Sequence, residues 1–275
     1  MSGDLRQALE EADLFARKSL GQHFLLDLNL TGKIGRLAGI QADETLLEIG
    51  PGPGGLTHAL LASPAKKVIV VEKDPRFVAH LTRYFADQAG RLVVIEADAL
   101  AIDEEALLAS HGTTGPARII SNLPYNVGTP LLVKWLKAGA WRGPMCLMFQ
   151  TEVAERICAR PGSPHYGRLA VLAAARCDAR LALHVPRLAF VPPPKVESAI
   201  VILEDHKRPF NDLAGLEHIT AHAFGQRRKM LRASLKGLGN CEAILEEAGI
   251  NPTARPETIE PEGFFALTKA WRAHG

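Results

Sequence analysis

The sequence predicts an α/β fold in which helices cover both faces of a mainly parallel sheet, followed by a small all-α C-terminal domain. Three observations predict it. Short β-branched runs alternate with helical stretches from residue 45 to residue 159, a pattern that requires right-handed crossovers. After Arg180 two strand-like runs follow each other without a helix between them. From about residue 207 the chain is helical, with no strand signal.

The elements follow from local patterns. Each run rich in Val and Ile ends at a glycine or a polar residue, and a helical stretch begins after it. The predicted strands are 45–50, 67–74, 91–97, 117–121 and 145–150, with helices at 56–63, 75–89, 129–139 and 151–159. Two further strands, 181–185 and 196–203, flank a proline-rich turn and are predicted to pair antiparallel at the sheet edge. The C-terminal helices are 211–224, 226–237, 241–248 and 262–273. We therefore predict one domain over 1–206 and a second over 207–275.

Composition excludes several classes of protein. The 275 residues include 32 Lys and Arg against 30 Asp and Glu, and 47% are apolar, which is ordinary for a globular chain. No run of uncharged apolar residues is long enough to span a membrane, and acidic residues near the N-terminus argue against a secretory signal. The four cysteines are far apart, with no C-x-x-C pair, so we predict no metal site, no disulfide and a cytoplasmic location.

Positive charge is concentrated in two stretches although the net charge is only +2. Residues 153–195 contain seven Lys or Arg against two acids, and residues 227–236 contain no acid. Clustered cations are typical of proteins that bind a polyanion. The cations of the second stretch that we predict to contact such a polyanion are Arg227, Arg228, Lys229, Arg232 and Lys236.

Polar or flexible residues end four of the predicted strands, at the edge of the sheet where ligands bind in such folds. Gly50, Gly52 and the pair Gly54–Gly55 form a turn that brings backbone N–H groups close to a ligand. Glu72 ends the second strand and can accept both hydroxyls of a ribose. Asp98 ends the third strand and can accept the amino group of an adenine, and Asn122 ends the fourth.

The tetrapeptide Asn122-Leu123-Pro124-Tyr125 suits methyl transfer to an amino group on a base. Such an amine is a poor nucleophile because its lone pair is delocalised into the ring. The Asn122 oxygen and the Leu123 carbonyl can accept its hydrogens and localise that lone pair. Pro124 stiffens the loop, and Tyr125 offers a face on which an unstacked base can lie.

The same glycines also satisfy the dinucleotide-binding pattern, because Gly50, Gly52 and Gly55 have the G-x-G-x-x-G spacing. A nicotinamide-dependent oxidoreductase therefore remains an alternative at this point. Binding of S-adenosylmethionine or of NAD distinguishes the two.

Taken together, the motifs resemble those of the small-subunit ribosomal RNA adenine-N6 dimethyltransferases, the kasugamycin-resistance (KsgA) family. They span nearly the whole chain in the family's order: 18–25 (KSLGQHFL), 48–52 (EIGPG), 71–74 (VEKD), 98–100 (DAL), 122–126 (NLPYN), 190–198 (FVPPPKVES) and 224–236 (FGQRRKMLRASLK).

The resemblance implies a Rossmann-like class I methyltransferase domain that uses S-adenosylmethionine, together with a helical C-terminal domain. By position, His23, Leu25, Gly50 and Gly52 contact the cofactor, Glu72 holds its ribose and Asp98 its adenine, and Asn122 faces both its methionine end and the target amine. Phe190 is implied to stack on the target base opposite Tyr125. The family often has Asn where this chain has His23.

The implied substrate is a pair of adjacent adenines in the 3′-terminal hairpin loop of 16S rRNA in the 30S particle, each of which receives two methyl groups. We expect a monomer. Two related alternatives stay open: a resistance-type methyltransferase acting on 23S rRNA, and a 30S assembly factor whose main role is binding. The NLPYN and FGQRRKMLR sequences favour the small subunit.

Overall fold

A computed structural model describes residues 5, 7–9, 14 and 22–274 of the chain. Residues 18–21, which begin the first of the family-like motifs, lie outside the described residues.

Within residues 22–274, nine strands form two sheets. The larger sheet has seven strands in the order β4-β3-β2-β5-β6-β9-β7, and the smaller pairs β1 with β8. The pairs β2–β3, β2–β5, β3–β4 and β5–β6 are all parallel. The strands are β1 (Phe24–Leu25), β2 (Thr45–Ile49), β3 (Lys67–Glu72), β4 (Leu92–Glu96), β5 (Ala117–Asn122), β6 (Arg142–Gln150), β7 (Cys177–Val185), β8 (Phe190–Val191) and β9 (Ser198–Asp205).

Residues 22–274 include eleven α-helices. They are α1 (Leu28–Leu37), α2 (Gly55–Leu61), α3 (Pro75–Tyr84), α4 (Glu104–Ser110), α5 (Gly128–Leu136), α6 (Thr151–Ile157), α7 (Arg168–Ala174), α8 (Leu213–Gly225), α9 (Leu231–Ser234), α10 (Cys241–Glu247) and α11 (Pro261–His274). No helix within 22–274 is both long and apolar enough to cross a membrane.

Aspartate caps fix where several helices begin. The Asp27 side chain accepts the N–H groups of Asn29 and Leu30 at the start of α1. Asp74 caps α3 in the same way, and the proline that follows it occupies the first helical position, where no N–H is needed. Each cap satisfies donors that a helix start leaves without partners. The polar ends of the strands are thereby joined to helices by short, well-defined turns.

The sheet core is buried on both faces. In β3, Val68, Ile69, Val70 and Val71 are at most 1% exposed, as expected for a central parallel strand. Because β2 lies between β3 and β5, the chain leaves β2 towards one side of the sheet and returns on the other. Such a switch in direction opens a crevice at the carboxyl ends of the strands.

The chain divides into two compact units. The first comprises 1–154 and 181–202, and the second comprises 155–180 and 203–275. Residues 155–180 therefore group with the C-terminal helices, which differs from the single division at residue 206 that the sequence predicts. Within the second unit, the Tyr166 hydroxyl donates to the Ile259 carbonyl at 2.8 Å, and the Tyr166 ring lies edge-on to Phe224. These contacts explain why an internal segment belongs to the helical unit.

The predicted α/β class with a mainly parallel sheet is confirmed. The predicted helix over 226–237 is wrong: residues 226–230 form a turn, and a short helix follows over Leu231–Ser234. Helices α1, α4 and α7 and the small β1–β8 sheet were not predicted. The two-residue strands are too short to give a periodic signal.

Candidate active site

A cavity of about 470 Å³ lies in the first unit at the carboxyl ends of the parallel strands. Residues that follow β2, β3, β4 and β5 form its walls, together with β1 and Phe190. The switch in strand order predicts a ligand site at this place.

Every cofactor and catalytic residue predicted from the sequence lines this cavity. The predicted cofactor residues in its walls are His23, Leu25, Gly50, Gly52, Glu72, Asp98 and Asn122. The predicted catalytic residues in its walls are Asn122, Leu123, Pro124, Tyr125 and Phe190. Segments that are up to 167 positions apart, from His23 to Phe190, therefore meet at one site.

The glycine turn after β2 lets the backbone lie close to neighbouring segments. Gly50 has φ +67°, a conformation that side chains rarely adopt, and a Cβ there would lie 3.3 Å from Cδ of Pro124. Gly55 serves packing instead, because a Cβ at this position would collide with the Leu25 carbonyl oxygen. The G-x-G-x-x-G spacing thus combines two structural needs, neither of which specifies a dinucleotide.

Glu72 is held by three backbone N–H groups. One carboxylate oxygen accepts the N–H of Gly52 at 3.0 Å, and the other accepts those of Lys73 and Asp74, each at 2.8 Å. Burial raises the pKa of Glu72 above its ordinary value, while these three hydrogen bonds act in the opposite direction. The carboxylate is fixed at the cavity wall with little freedom to turn.

Asp98 lies at the more open part of the wall. Its carboxylate accepts the N–H of Leu100 at 3.0 Å and forms an ion pair with Nζ of Lys73 at 2.7 Å. The hydrogen bond from Lys73 lowers the pKa of Asp98. Another acid that lines the cavity, Glu48, is only 1% exposed.

Glu48 is the first residue of the family-like motif 48–52, but its position in the sequence predicts no role for it. Its carboxylate accepts the Thr57 hydroxyl at 2.6 Å, and burial raises its pKa to about 8. The signal that marks it is a single acid within the otherwise apolar strand TLLEI. Burial of an acid on a strand that is buried along its whole length costs folding free energy. Such a residue is a candidate for a role in the site.

The Asn122–Tyr125 loop joins β5 to α5. Asn122 is the last residue of β5 and lies in register with Met148 of β6. The Pro124 carbonyl accepts the N–H groups of Val127 and Gly128, both at 3.1 Å, so the loop closes directly into the helix. Leu123 is 2% exposed and anchors the loop in the core. The loop is therefore built as a rigid turn.

Two contacts hold Tyr125 to residues far away in sequence. Its hydroxyl lies 2.7 Å from Oγ of Ser198, which is fully buried, and its ring stacks on His23 with centroids 5.8 Å apart. Nδ1 of His23 in turn donates to the Pro192 carbonyl at 2.8 Å. His23 thus supports the tyrosine ring, a contact that sequence reasoning did not predict. Ser198 was quoted only as part of a motif.

Phe190 is paired with Leu25 across the small β1–β8 sheet. It lines the cavity but is only 1% exposed, and it belongs to the main hydrophobic cluster of the first unit. Stacking of a base on Phe190 stays a prediction, and it requires the ring to be uncovered when the base enters.

The five predicted RNA-binding cations lie in the second unit and are not equivalent. Arg227 is paired with Glu257 at 3.3 Å and donates to the Ser163 carbonyl at 3.4 Å. The other four side chains are exposed: Arg228, Lys229, Arg232 and Lys236. Only these four are available to phosphates without breaking an internal contact.

Histidines and cysteines do not assemble into a metal centre in the part of the chain that the structure describes, where no three potential ligands lie together. His218 and His222 are one helical turn apart on α8, with ring centroids 4.5 Å apart. His218 stacks on Trp271, so this pair is part of the packing of the second unit.

Comparison with protein-family models gives a match to "Ribosomal RNA adenine dimethylase" over residues 14–272. The chain is 53% identical over 279 residues to "Ribosomal RNA small subunit methyltransferase A" of Maricaulis maris (strain MCS10), covering 98% of this chain and 95% of that protein. It is 55% identical over 272 residues to the protein of the same name from Phenylobacterium zucineum (strain HLK1), covering 98% and 93%.

Solved structures show the same fold. A dimethyladenosine transferase from Plasmodium falciparum matches with a TM-score of 0.74 at 27% identity, covering 87% of this chain and 94% of that one. The 23S rRNA methyltransferase ErmE matches with a TM-score of 0.68 at 26% identity, covering 90% and 99%.

Proposed function

The chain belongs to the ribosomal RNA adenine dimethylase family, and we propose that it transfers methyl groups from S-adenosylmethionine to N6 of two adjacent adenines of 16S rRNA. The target nucleotides are those of the 3′-terminal hairpin loop in the 30S particle, and the reaction takes place in the cytoplasm. The observation that carries this proposal is the placement of the Asn122–Tyr125 loop at the same cavity as Glu72 and Asp98.

The residues of the cavity fit S-adenosylmethionine. Glu72 is fixed by three backbone donors with its carboxylate at the wall, as a ribose with two neighbouring hydroxyls requires. Asp98 keeps lone pairs for the adenine amino group beside its contacts to Leu100 and Lys73. Gly50 keeps the wall free of a side chain next to Pro124. When bound, the cofactor supplies a methyl group on a positively charged sulfur.

The chain's own residues act on the adenine amine. The Asn122 side-chain oxygen and the Leu123 carbonyl accept hydrogen bonds from its two hydrogens. These bonds localise the lone pair on the nitrogen, where it can attack the methyl group. Tyr125, held by Ser198 and His23, supplies a flat surface on which the extruded base stacks. No strong base is needed, because the product ammonium releases its proton readily to water. Catalysis here consists mainly of positioning.

Unpaired loop nucleotides suit this mechanism because little stacking is lost when they turn out. The polyanionic substrate also fits the exposed cations Arg228, Lys229, Arg232 and Lys236 of the second unit. We expect the protein to act as a monomer.

Family membership excludes the nicotinamide oxidoreductase. The large-subunit alternative has weaker support, since identity is 26% to the 23S rRNA methyltransferase but 53–55% to the small-subunit relatives. The assembly-factor role is compatible with catalysis. A Glu72→Ala variant separates the two, because subunit maturation without methyl transfer would assign the biological role to binding.

The experiment that tests the proposal is transfer of labelled methyl groups to unmethylated 30S particles, mapped by nucleotide, with 50S particles as the control. We expect two methyl groups on each of two neighbouring adenines and none in the 50S control. Incorporation into the large subunit alone would contradict the proposal.

A further inference from the structure

An apolar surface lies beside the cavity, on the segment between β7 and β9. In the described part of the chain five large apolar side chains are exposed, and three of them fall here: Leu188 at 77%, Val191 at 40% and Val196 at 44%. We call these three side chains the apolar ledge. Exposed apolar side chains are normal singly, but three within nine positions indicate a contact surface.

The ledge is held by hydrogen bonds at both ends. The Glu197 carboxylate accepts the N–H of Arg187 at 2.7 Å, and the Glu197 carbonyl accepts the N–H of Thr151 at 3.0 Å. In its middle, Val191 is paired with Phe24 in the small β1–β8 sheet. The exposed apolar groups are thus carried on an ordered turn, so presenting them to a partner costs little conformational entropy.

The ledge adjoins the proposed target-base site along the chain. Phe190, which lines the cavity, lies between Leu188 and Val191, and the alternation of β8 turns Phe190 inward and Val191 outward. Ser198, the partner of Tyr125, comes two residues after Val196. An RNA chain whose base reaches Tyr125 would therefore pass this segment of the protein.

Charge indicates which kind of partner fits. Arg187 and Lys195 are exposed, and residues 186–196 include no acid. The nearest acid in sequence, Glu197, has its carboxylate occupied by the Arg187 N–H. Apolar side chains flanked by cations complement a single-stranded nucleic acid, whose bases offer flat apolar faces and whose phosphates are anionic.

We propose that the apolar ledge packs against the RNA nucleotides that flank the target adenine, with Arg187 and Lys195 on their phosphates. The ledge replaces part of the stacking that the neighbouring bases lose when the adenine turns into the cavity. This inference rests on the proposed function and adds to it a contact with the substrate on the catalytic unit.

The test compares Leu188→Ser with the matched variant Leu188→Met, using methyl transfer to unmethylated 30S particles at saturating S-adenosylmethionine. We expect Leu188→Ser to raise KM for the particle about tenfold, in keeping with loss of a buried apolar contact. Leu188→Met, which keeps an apolar side chain, retains the wild-type KM. Cofactor affinity and Tm stay unchanged in both variants.

The cations are tested by the salt dependence of binding. Lys195→Ala is expected to reduce the slope of log affinity against log salt by about 0.7. Lys66→Ala is the control, because it removes an exposed cation just before β3, at the opposite end of the strand from the cavity.

An unchanged KM in Leu188→Ser and in Val196→Ser, with an active wild-type enzyme, would overturn the ledge and leave the proposed function intact. A fall in Tm that parallels the loss of activity would also overturn it, by assigning Leu188 to the fold. A wild-type protein that methylates no adenine would overturn the proposed function, and the ledge with it.

Discussion

The hydroxyl oxygen of Tyr125 lies 2.7 Å from Oγ of Ser198, which ties the loop after β5 to the first residue of β9. Ser198 is fully buried, so its hydroxyl has one defined position. The ring that is proposed to carry the target base is therefore held at its hydroxyl end as well as through its backbone.

Removal of this link is expected to impair use of the RNA and to leave cofactor binding intact. Ser198→Ala leaves the Tyr125 hydroxyl without its partner, and we expect kcat/KM for 30S particles to fall about tenfold, the equivalent of about 1.4 kcal/mol. Steady-state kinetics with labelled S-adenosylmethionine measures this.

A double-mutant cycle separates this effect from general damage. Tyr125→Phe removes the same hydrogen bond from the other side, so the double variant should be no worse than either single variant. Effects that multiply would show that the two hydroxyls act independently, and equal losses of cofactor affinity would show general damage to the site.

Glu72→Gln is expected to weaken binding of S-adenosylmethionine at least tenfold, since hydrogen bonds to a charged group contribute about 1.5–3 kcal/mol. The amide also places a donor against one of the N–H groups of Gly52, Lys73 and Asp74. Calorimetric titration measures the dissociation constant. The control is Glu96→Gln, at the exposed end of the neighbouring strand β4, which should bind the cofactor like the wild type.

The buried acid Glu48 predicts a pH dependence of stability. Burial raises its pKa to about 8, against an ordinary value of 4.5. Between these two values the folded protein retains a proton that the unfolded chain has released, so the free energy of unfolding falls as the pH rises through this window.

Glu48→Gln removes that titration while keeping an oxygen to accept the Thr57 hydroxyl. We expect the variant and the wild type to have similar Tm values at about pH 4.5, and the variant to be a few degrees more stable at about pH 8.5. Thermal unfolding of the cofactor-free proteins across this range checks it. A constant difference in Tm at every pH would contradict the assignment.

The cations between residues 227 and 236 are expected to have two different roles, one in stability and one in RNA binding. Arg227→Ala should lower Tm, because it breaks the contacts to Glu257 and Ser163. Neutralising Arg228, Lys229 and Arg232 together should leave Tm unchanged and reduce the slope of log RNA affinity against log salt by about 2. Binding titrations at several salt concentrations measure the slope, and an unchanged slope would remove this segment from the RNA-binding surface.

Local sequence was sufficient for the sheet and for the polar residues at its carboxyl edge. Glu72 and Asn122 end β3 and β5, and Asp98 comes two residues after the end of β4. Parallel strands bring such ends to one edge whatever the details of the helices. The prediction of one site from three separate strand ends therefore depended only on strand direction.

Contacts between distant segments could not be predicted in this way. Ser198 and Tyr125 are 73 positions apart, and the two-residue strands β1 and β8 that align His23 with Pro192 have no periodicity of their own. The sequence predicts helix at 226–230 because its residues are good helix formers. The contacts of Arg227 to Glu257 and Ser163 accompany the turn that is found instead. Tertiary contacts outweigh local preference at 226–230, whereas β1 and β8 carry no local signal that could predict them.

The most direct test of the central claim is a crystal structure of the protein with S-adenosylmethionine bound. We expect the cofactor ribose to lie on Glu72 and its methyl group to face the Asn122 oxygen and the Tyr125 ring, with space for a flat base between them. A methyl group directed away from this loop, or a loop that leaves no room beside it for a base, would contradict the proposed function.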